Sequence, residues 1–493
     1  MTPSRAIAIA WRGLLGALAA LGCSEVTPPN RGITVTAVSP ATDLLPGGTT
    51  VTISGGNFID VTAVTIGGSE IGARMVVGPT LITGTTPPST VSGATDVVVA
   101  SRSHGRGTCS NCFRYDLGPA PPPPGPILAA GSSHTCVVTS SGAAYCWGMG
   151  IANGSPANSS SPVAVRGGVV FSSLTAGGRH TCGLTSAGVA WCWGYNPAGE
   201  LGNSSTTDSW IPVVVAGDMK FSVLAAGGGV PGRGGNSGHS CGITSSHAAY
   251  CWGDNRYGEL GTDSPGSSLT PVAVSGALDA RAIVAGPHHT CALTDSGVAY
   301  CWGDSRSWAP VAVEGGITFR AIAAGGHSAS GLPIYWRHTC GLDNAGAAYC
   351  WGNNTVGQLG DGTTSYDSIP AAVSGNLAFV ILAPGGLHTC GLTRSGTAYC
   401  WGSNEFGQLG TGSTTGPEWC GPSGAVRACS RTPVAVSGDL RFTQIASGSF
   451  HTCGLTDGGA AYCWGFNLTG QLGNGSTDDS PIPVPVSWQT KMW

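Results

Sequence analysis

The feature that most restricts how this chain can fold is a short cassette, seen at His388–Gly402 as HTCGLTRSGTAYCWG and present in seven near-copies. Each copy holds a cysteine pair: 136/146, 182/192, 241/251, 291/301, 340/350, 390/400 and 453/463. The spacing inside the pair is always ten, whereas successive units lie 46, 59, 50, 49, 50 and 63 residues apart. A constant core at variable intervals marks a fixed structural unit with loop insertions between copies. Within Cys182–Cys192, two short apolar runs flank Ser186-Ala187-Gly188, a hairpin loop with glycine where positive φ is favoured. A hairpin centred on Ala187 sets residue 182 opposite 192, at a Cβ separation that a disulfide can bridge. In an oxidising compartment the spacing predicts seven cross-strand bonds: Cys136–Cys146, Cys182–Cys192, Cys241–Cys251, Cys291–Cys301, Cys340–Cys350, Cys390–Cys400 and Cys453–Cys463. Each closes a small loop and contributes about 2–3 kcal/mol in the chain-entropy picture.

The N-terminus points to such a compartment. In MTPSRAIAIAWRGLLGALAALGC, Arg5 and Arg12 accompany the apolar run Gly13–Gly22. That run is too short to span a bilayer and reads as an export signal over residues 1–22. Its end, Ala20-Leu21-Gly22-Cys23, resembles a bacterial lipobox with the leucine one place late. The resemblance implies lipid attachment at Cys23 and a tether over 23–32; the alternative is an ordinary signal peptide with a chance cysteine. The expectation is an exported protein, held at the outer membrane or cell surface by that lipid or otherwise secreted, and touching the membrane in no other way. Charged residues make up only 9% and the net charge is −4. Nucleic acid is therefore not an expected partner, because phosphate binding needs clustered Lys and Arg.

The rest of each unit is equally regular. After CWG comes a turn-rich stretch such as SNEFGQLGTG (Ser403–Gly412), then a strand like PVAV, a turn, and a strand ending in Ala-Gly. With 81 glycines and 32 prolines supplying turns, four short antiparallel strands in seven repeats predict an all-β chain built around a seven-bladed propeller over 127–488. The pattern HTCGLT…G.AYCWG.N..GQLG resembles the regulator-of-chromosome-condensation repeat, whose members form seven-bladed propellers. The Gly-x-Leu-Gly element stands at Gly199–Gly202, Gly258–Gly261, Gly357–Gly360, Gly407–Gly410 and Gly470–Gly473. It is missing after Cys146 and after Cys301, so two blades should have altered loops. The first unit, starting at Ile127, is read as lacking a PVAV strand, and Ser480–Trp488 is expected to fill the first blade and latch the ring.

Upstream, residues 33–118 alternate apolar and polar residues in short runs separated by turn signals, as a β-sandwich does. Ser39–Phe58, Val64–Gly68 and Ile82–Val99 resemble an Ig-like domain of the IPT/TIG type, which implies a spacer or binding module. Cys109-Ser-Asn-Cys112 at its end is read as a local disulfide. A redox CxxC would want a βαβ context, and a zinc site a second pair. Pro119–Pro126 is a polyproline linker.

No catalytic set is readable: G-x-S-x-G, H-E-x-x-H and P-loop patterns are all absent from the sequence, and no cofactor or metal is expected. A histidine per blade at 134, 180, 239, 289, 338, 388 and 451 cannot converge on one ion at bonds of about 2.0–2.1 Å. These rings are read as structural, hydrogen-bonded inside each blade, and the tryptophans after the second cysteine as packing between blades. Function is sought where the repeat is interrupted, at Gly227–Gly238, Gly325–Arg337 and Thr411–Arg431. All three fall in loops of one propeller face. The third should be stapled by Cys420–Cys429. Arg233, Tyr335, Trp336, Arg337, Trp419 and Arg427 form the candidate binding face, being residue types enriched in interface hot spots. The expectation is a monomeric, non-enzymatic binding scaffold for an extracellular protein or glycan. An inhibitor of a secreted enzyme and an enzyme of unrecognised type are the alternatives. Exchange-factor activity, known for nuclear members of the resembled family, needs a small GTPase that an exported protein would not meet.

Overall fold

A computed structural model describes residues 32–39, 41–44, 48–87, 93–116, 127–150, 153–228, 238–304, 307–327, 336–421 and 426–488. The chain forms two compact units, one ending at Pro122 and the other beginning at Pro123. All regular elements among the described residues are β-strands. Cys23 lies outside them.

The first unit is a sandwich of two sheets. One runs in the order Thr34–Ser39, Thr50–Gly56, Leu81–Thr85, Gly72–Gly78; the other in the order Thr42–Leu44, Gly105–Asp116, Gly93–Ser101, Val61–Ile66, Ser69–Glu70. The alternation read from the sequence sets the faces: Val51 and Ile53 point inward between Thr50 and Thr52. They meet Ile82, Val97, Val99 and Phe113 in one core. Cys109 and Cys112 are disulfide-bonded, with Cα atoms 5.6 Å apart.

The second unit is seven sheets, each made from consecutive strands. Blade 2 shows the pattern: Ser173–Ala176, His180–Leu184, Ala190–Gly194 and Ser209–Val214 pair antiparallel in sequence order. The cysteines stand directly opposite each other, Cys182 against Cys192 and Cys390 against Cys400. All seven cassette pairs are bonded across Cα separations of 4.0–4.1 Å. First strands of neighbouring blades touch all the way round, the seventh closing on the first.

The closure differs from the expectation. Ser159–Ala164 already supplies the fourth strand of blade 1, and Ser480–Pro485 pairs with Ala461–Gly465 in blade 7. PVAV follows its own CWG through a loop long enough to turn back, so every blade is complete without strand exchange. What joins blade 7 to blade 1 is the contact that joins most other blades.

That contact has two parts. The cassette histidines do not bond within their own blades. Each Nε2 reaches the Thr or Ser hydroxyl of the next blade: His134 to Thr181 at 2.8 Å, His180 to Ser240 at 2.8 Å, His239 to Thr290 at 2.7 Å, His289 to Thr339 at 2.9 Å, His338 to Thr389 at 2.7 Å, His388 to Thr452 at 2.8 Å, and His451 to Thr135 at 2.8 Å. The ring of seven bonds is thus complete. In five junctions a loop of the preceding blade supplies the second part. The Gln408 carbonyl of blade 6 accepts the Trp464 indole N–H at 3.0 Å and the Thr452 hydroxyl at 3.3 Å. Glu200, Glu259, Gln358 and Gln471 do the same for Trp252, Trp302, Trp401 and Trp147. The adjoining leucines, 201, 260, 359, 409 and 472, are at most 1% exposed. Burial of one such side chain stabilises the junction by about 2 kcal/mol. A buried asparagine shapes each loop: Asn404 Oδ1 accepts the Leu409 N–H and its Nδ2 donates to the Ser413 carbonyl. The last glycine lies against the indole. At Gly410 φ is +71, and a Cβ would lie 2.8 Å from Trp464 Nε1.

Candidate functional site

The loops after the first and third strands of every blade open on the same propeller face. Arg233 and Tyr335 lie outside the described residues. Trp336 is placed by its backbone only, opposite His327 in the paired strands of blade 5. Arg337, the next residue, is mostly buried and forms an ion pair with Asp304 of blade 4. Burial pulls its guanidinium down to about 10.

Trp419 and Arg427 come together on a different blade. Glu418–Cys420 and Arg427–Ala435 form a hairpin that adds a fifth strand to blade 6. The Cys420–Cys429 disulfide staples it, with Cα atoms 5.8 Å apart. Arg431 pairs with Glu418 across the hairpin, and Arg427 ties it to Glu405 of the preceding loop. Trp419 is 66% exposed on this braced support. Of the described candidates, Arg337 lies at the junction of blades 4 and 5, and Trp419 and Arg427 lie on the hairpin of blade 6.

Beside the hairpin is a group that the sequence reading missed. Phe406 of blade 6 meets Phe450 and Phe466 of blade 7 at centroid distances of 5.3 and 4.8 Å, and His327 of blade 5 meets Phe450 edge-on at 4.7 Å. Burial, and then the charge of Arg427, hold the His327 ring neutral, lowering it to about 4. The four come from three blades at positions that vary between repeats. The available signal was Phe at the variable places of NEFGQLG, GSFHTC and CWGFN, legible only once the loops are known to converge.

The buried titratable groups elsewhere serve the ring. Burial lowers His180, His239, His338, His388 and His451 to about 3 and His134 to about 4, and holds His289 well below its ordinary value. Burial also raises Glu200 to about 7, although its carboxylate accepts N–H bonds from Ala198 and Gly238.

The regulator of chromosome condensation (RCC1) repeat matches at 246–293, 395–455 and 458–492, and a second form of the same repeat at 128–153, 171–200, 280–307, 334–358 and 442–471. The IPT/TIG domain matches at 34–116. Yeast RCC1 (Prp20), solved with Kap60 bound, is similar in fold, with a TM-score of 0.59 and 21% identity over 74% of this chain and 84% of that one. Prp20p from Saccharomyces cerevisiae, studied with its binding to Gsp1p and histones, gives the same score and identity over 73% and 87%. Human alsin is 41% identical over 68 residues, which span 13% of this chain and only 4% of alsin. The chain is thus built from RCC1 repeats, closed into a seven-bladed propeller that follows an IPT/TIG domain.

Proposed function

We propose that this protein is an exported binding scaffold whose loop-bearing propeller face engages a protein or glycan, without catalysing a reaction. The observation that carries the reading is the blade 6 hairpin. A tryptophan exposed to this degree on a disulfide-braced, ion-paired support is a rigid anchor of the kind that dominates interfaces. Nine disulfides among the described residues support an oxidising compartment. No helix among the described residues is long and apolar enough to cross a membrane. Yeast Prp20p binds Gsp1p and histones; an exported chain would meet neither, so that activity is not transferred.

The test is affinity capture from extracellular proteins and glycans with the intact chain, in parallel with Trp419→Ala. The variant should keep its melting temperature, because the side chain is exposed, and should lose the captured partner. Equal capture by both proteins would remove the hairpin from the function.

A further inference from the structure

The junction between blades 4 and 5 lacks the loop that fills five of the others. Only three residues separate Gly303 from its partner Ser307 across the third and fourth strands of blade 4, against fourteen between Gly253 and Ser268 in blade 3. Three residues cannot carry a Gly-x-Glu/Gln-Leu-Gly turn onto the next blade. The result is a cavity of about 320 Å³, lined among others by Trp302, Val311, Arg337, Thr339, Trp351 and Tyr366. That is the lower end of ordinary ligand pockets, roughly 300–1,000 Å³.

What is left open is specific. Trp351 is 8% exposed, whereas its six counterparts are at most 2% exposed. It stacks on Phe319 at 5.7 Å. Neither the Trp351 indole N–H nor the Thr339 hydroxyl has a backbone carbonyl to donate to among the described residues, though Thr339 meets His289. The other junction without the motif is closed differently: ten residues separate Gly148 from Ser159 in blade 1, and Trp193 is only 1% exposed.

In the two junctions whose turn carries glutamate, the residue before the cassette histidine faces that acid. Gly238 N donates to Glu200 at 3.1 Å, and His288 Nδ1 lies 3.6 Å from Glu259. Between blades 4 and 5 that position is Arg337, which is already paired with Asp304, another residue of the cavity wall.

We infer that this cavity binds a leucine-bearing turn of another protein, of the Gly-x-Glu/Gln-Leu-Gly kind. The leucine takes the place beside Trp351, and the carbonyl before it receives the Trp351 and Thr339 donors. A second copy of this chain is not the source, because all five of its own turns are buried in their junctions. The cavity stands on its own geometry and does not depend on the hairpin, so either reading can fail alone.

The experiment is fluorescence anisotropy of the intact chain with a cyclised, fluorescein-labelled peptide DNRYGELGTD, the sequence of Asp254–Asp263. Saturable binding is expected. Leu→Ala in the peptide should weaken it by roughly tenfold or more. This change does not touch the folding of the protein. Trp351→Phe keeps the ring packing, removes the donor, and should weaken binding by roughly five- to tenfold. Trp419→Ala should leave it unchanged. Absence of saturable binding, or binding indifferent to both the peptide leucine and Trp351→Phe, would overturn the assignment.

Discussion

The seven-histidine ring makes acid the perturbation to which this propeller should be most sensitive. An ordinary histidine, exposed in the unfolded chain, titrates near 6.5. The buried rings remain neutral far below that, at about 3 for His388 and about 4 for His134. Their contribution is whole above the unfolded value and is lost as pH falls through 6.5 toward the folded values, because only the unfolded state takes up the protons. Between about pH 7 and about pH 5 each ring costs about 2 kcal/mol. Six cassette rings and His327 carry such shifts. His289, also lowered by burial, acts in the same sense. Glu200 opposes them: with its folded value raised to about 7, it stabilises the folded state by about 2 kcal/mol over the same range. Glu259, raised by burial, also opposes them. The net loss is on the order of 10 kcal/mol, comparable with the whole stability of a typical domain. Urea unfolding with disulfides intact, followed by far-UV circular dichroism across that pH range, measures it directly. His388→Gln should reduce the pH slope by about one proton. An unfolding midpoint that stays level from about pH 7 to about pH 5 would refute the argument.

Three other outcomes follow from the junctions and the disulfides. Thr389→Val should cost about 1–3 kcal/mol in chemical denaturation, because it strands His338 Nε2 and one lone pair of the Gln358 carbonyl in the core. Gly410→Ala should cost more than Gly438→Ala, and equal losses would mean that the indole does not confine this loop. Both have positive φ, but only the first places a Cβ against Trp464. Non-reducing peptide mapping should recover Cys390 linked to Cys400, and Cys390→Ser with Cys400→Ser should cost about 2–3 kcal/mol.

How legible this was depends on the range of each interaction. The cassette hairpin is local: ten-residue spacing, a three-residue turn with glycine and an apolar pair of runs determine the register, so Cys182 against Cys192 could be read directly. The order of strands within a blade could not. A periodic string gives no mark of where one sheet ends, and PVAV is equally adjacent in sequence to the cassette before it and the strand after it. The structure assigns Ser159–Ala164 to blade 1, because the loop after CWG returns the chain to the sheet it has just left. The same blindness hid the histidine bonds. His388 and Thr452 are 64 residues apart, and nothing in either copy of the cassette says that its partner lies in the next one.

That displacement by one repeat changes how an irregular copy should be interpreted. CWGDSRSWAPVAV looks like a defect of blade 4, and the expectation was an altered loop there. But the missing turn belongs by function to the following blade, since each Gly-x-Glu/Gln-Leu-Gly element completes the core of its successor. The residue that the shortening uncovers is Trp351, while blade 4's own Trp302 keeps its bond to Glu259 at 2.8 Å. The hydrophobic and hydrogen-bonding demand of blade 5 is set by five examples within the same molecule, so the opening has a defined shape and chemistry rather than being a gap of arbitrary character. Blade 1 shows that losing the motif need not expose the tryptophan, because Trp193 is only 1% exposed. The short turn after Cys301 is therefore the decisive change: three residues between Gly303 and Ser307 cannot carry the turn that fills five other junctions.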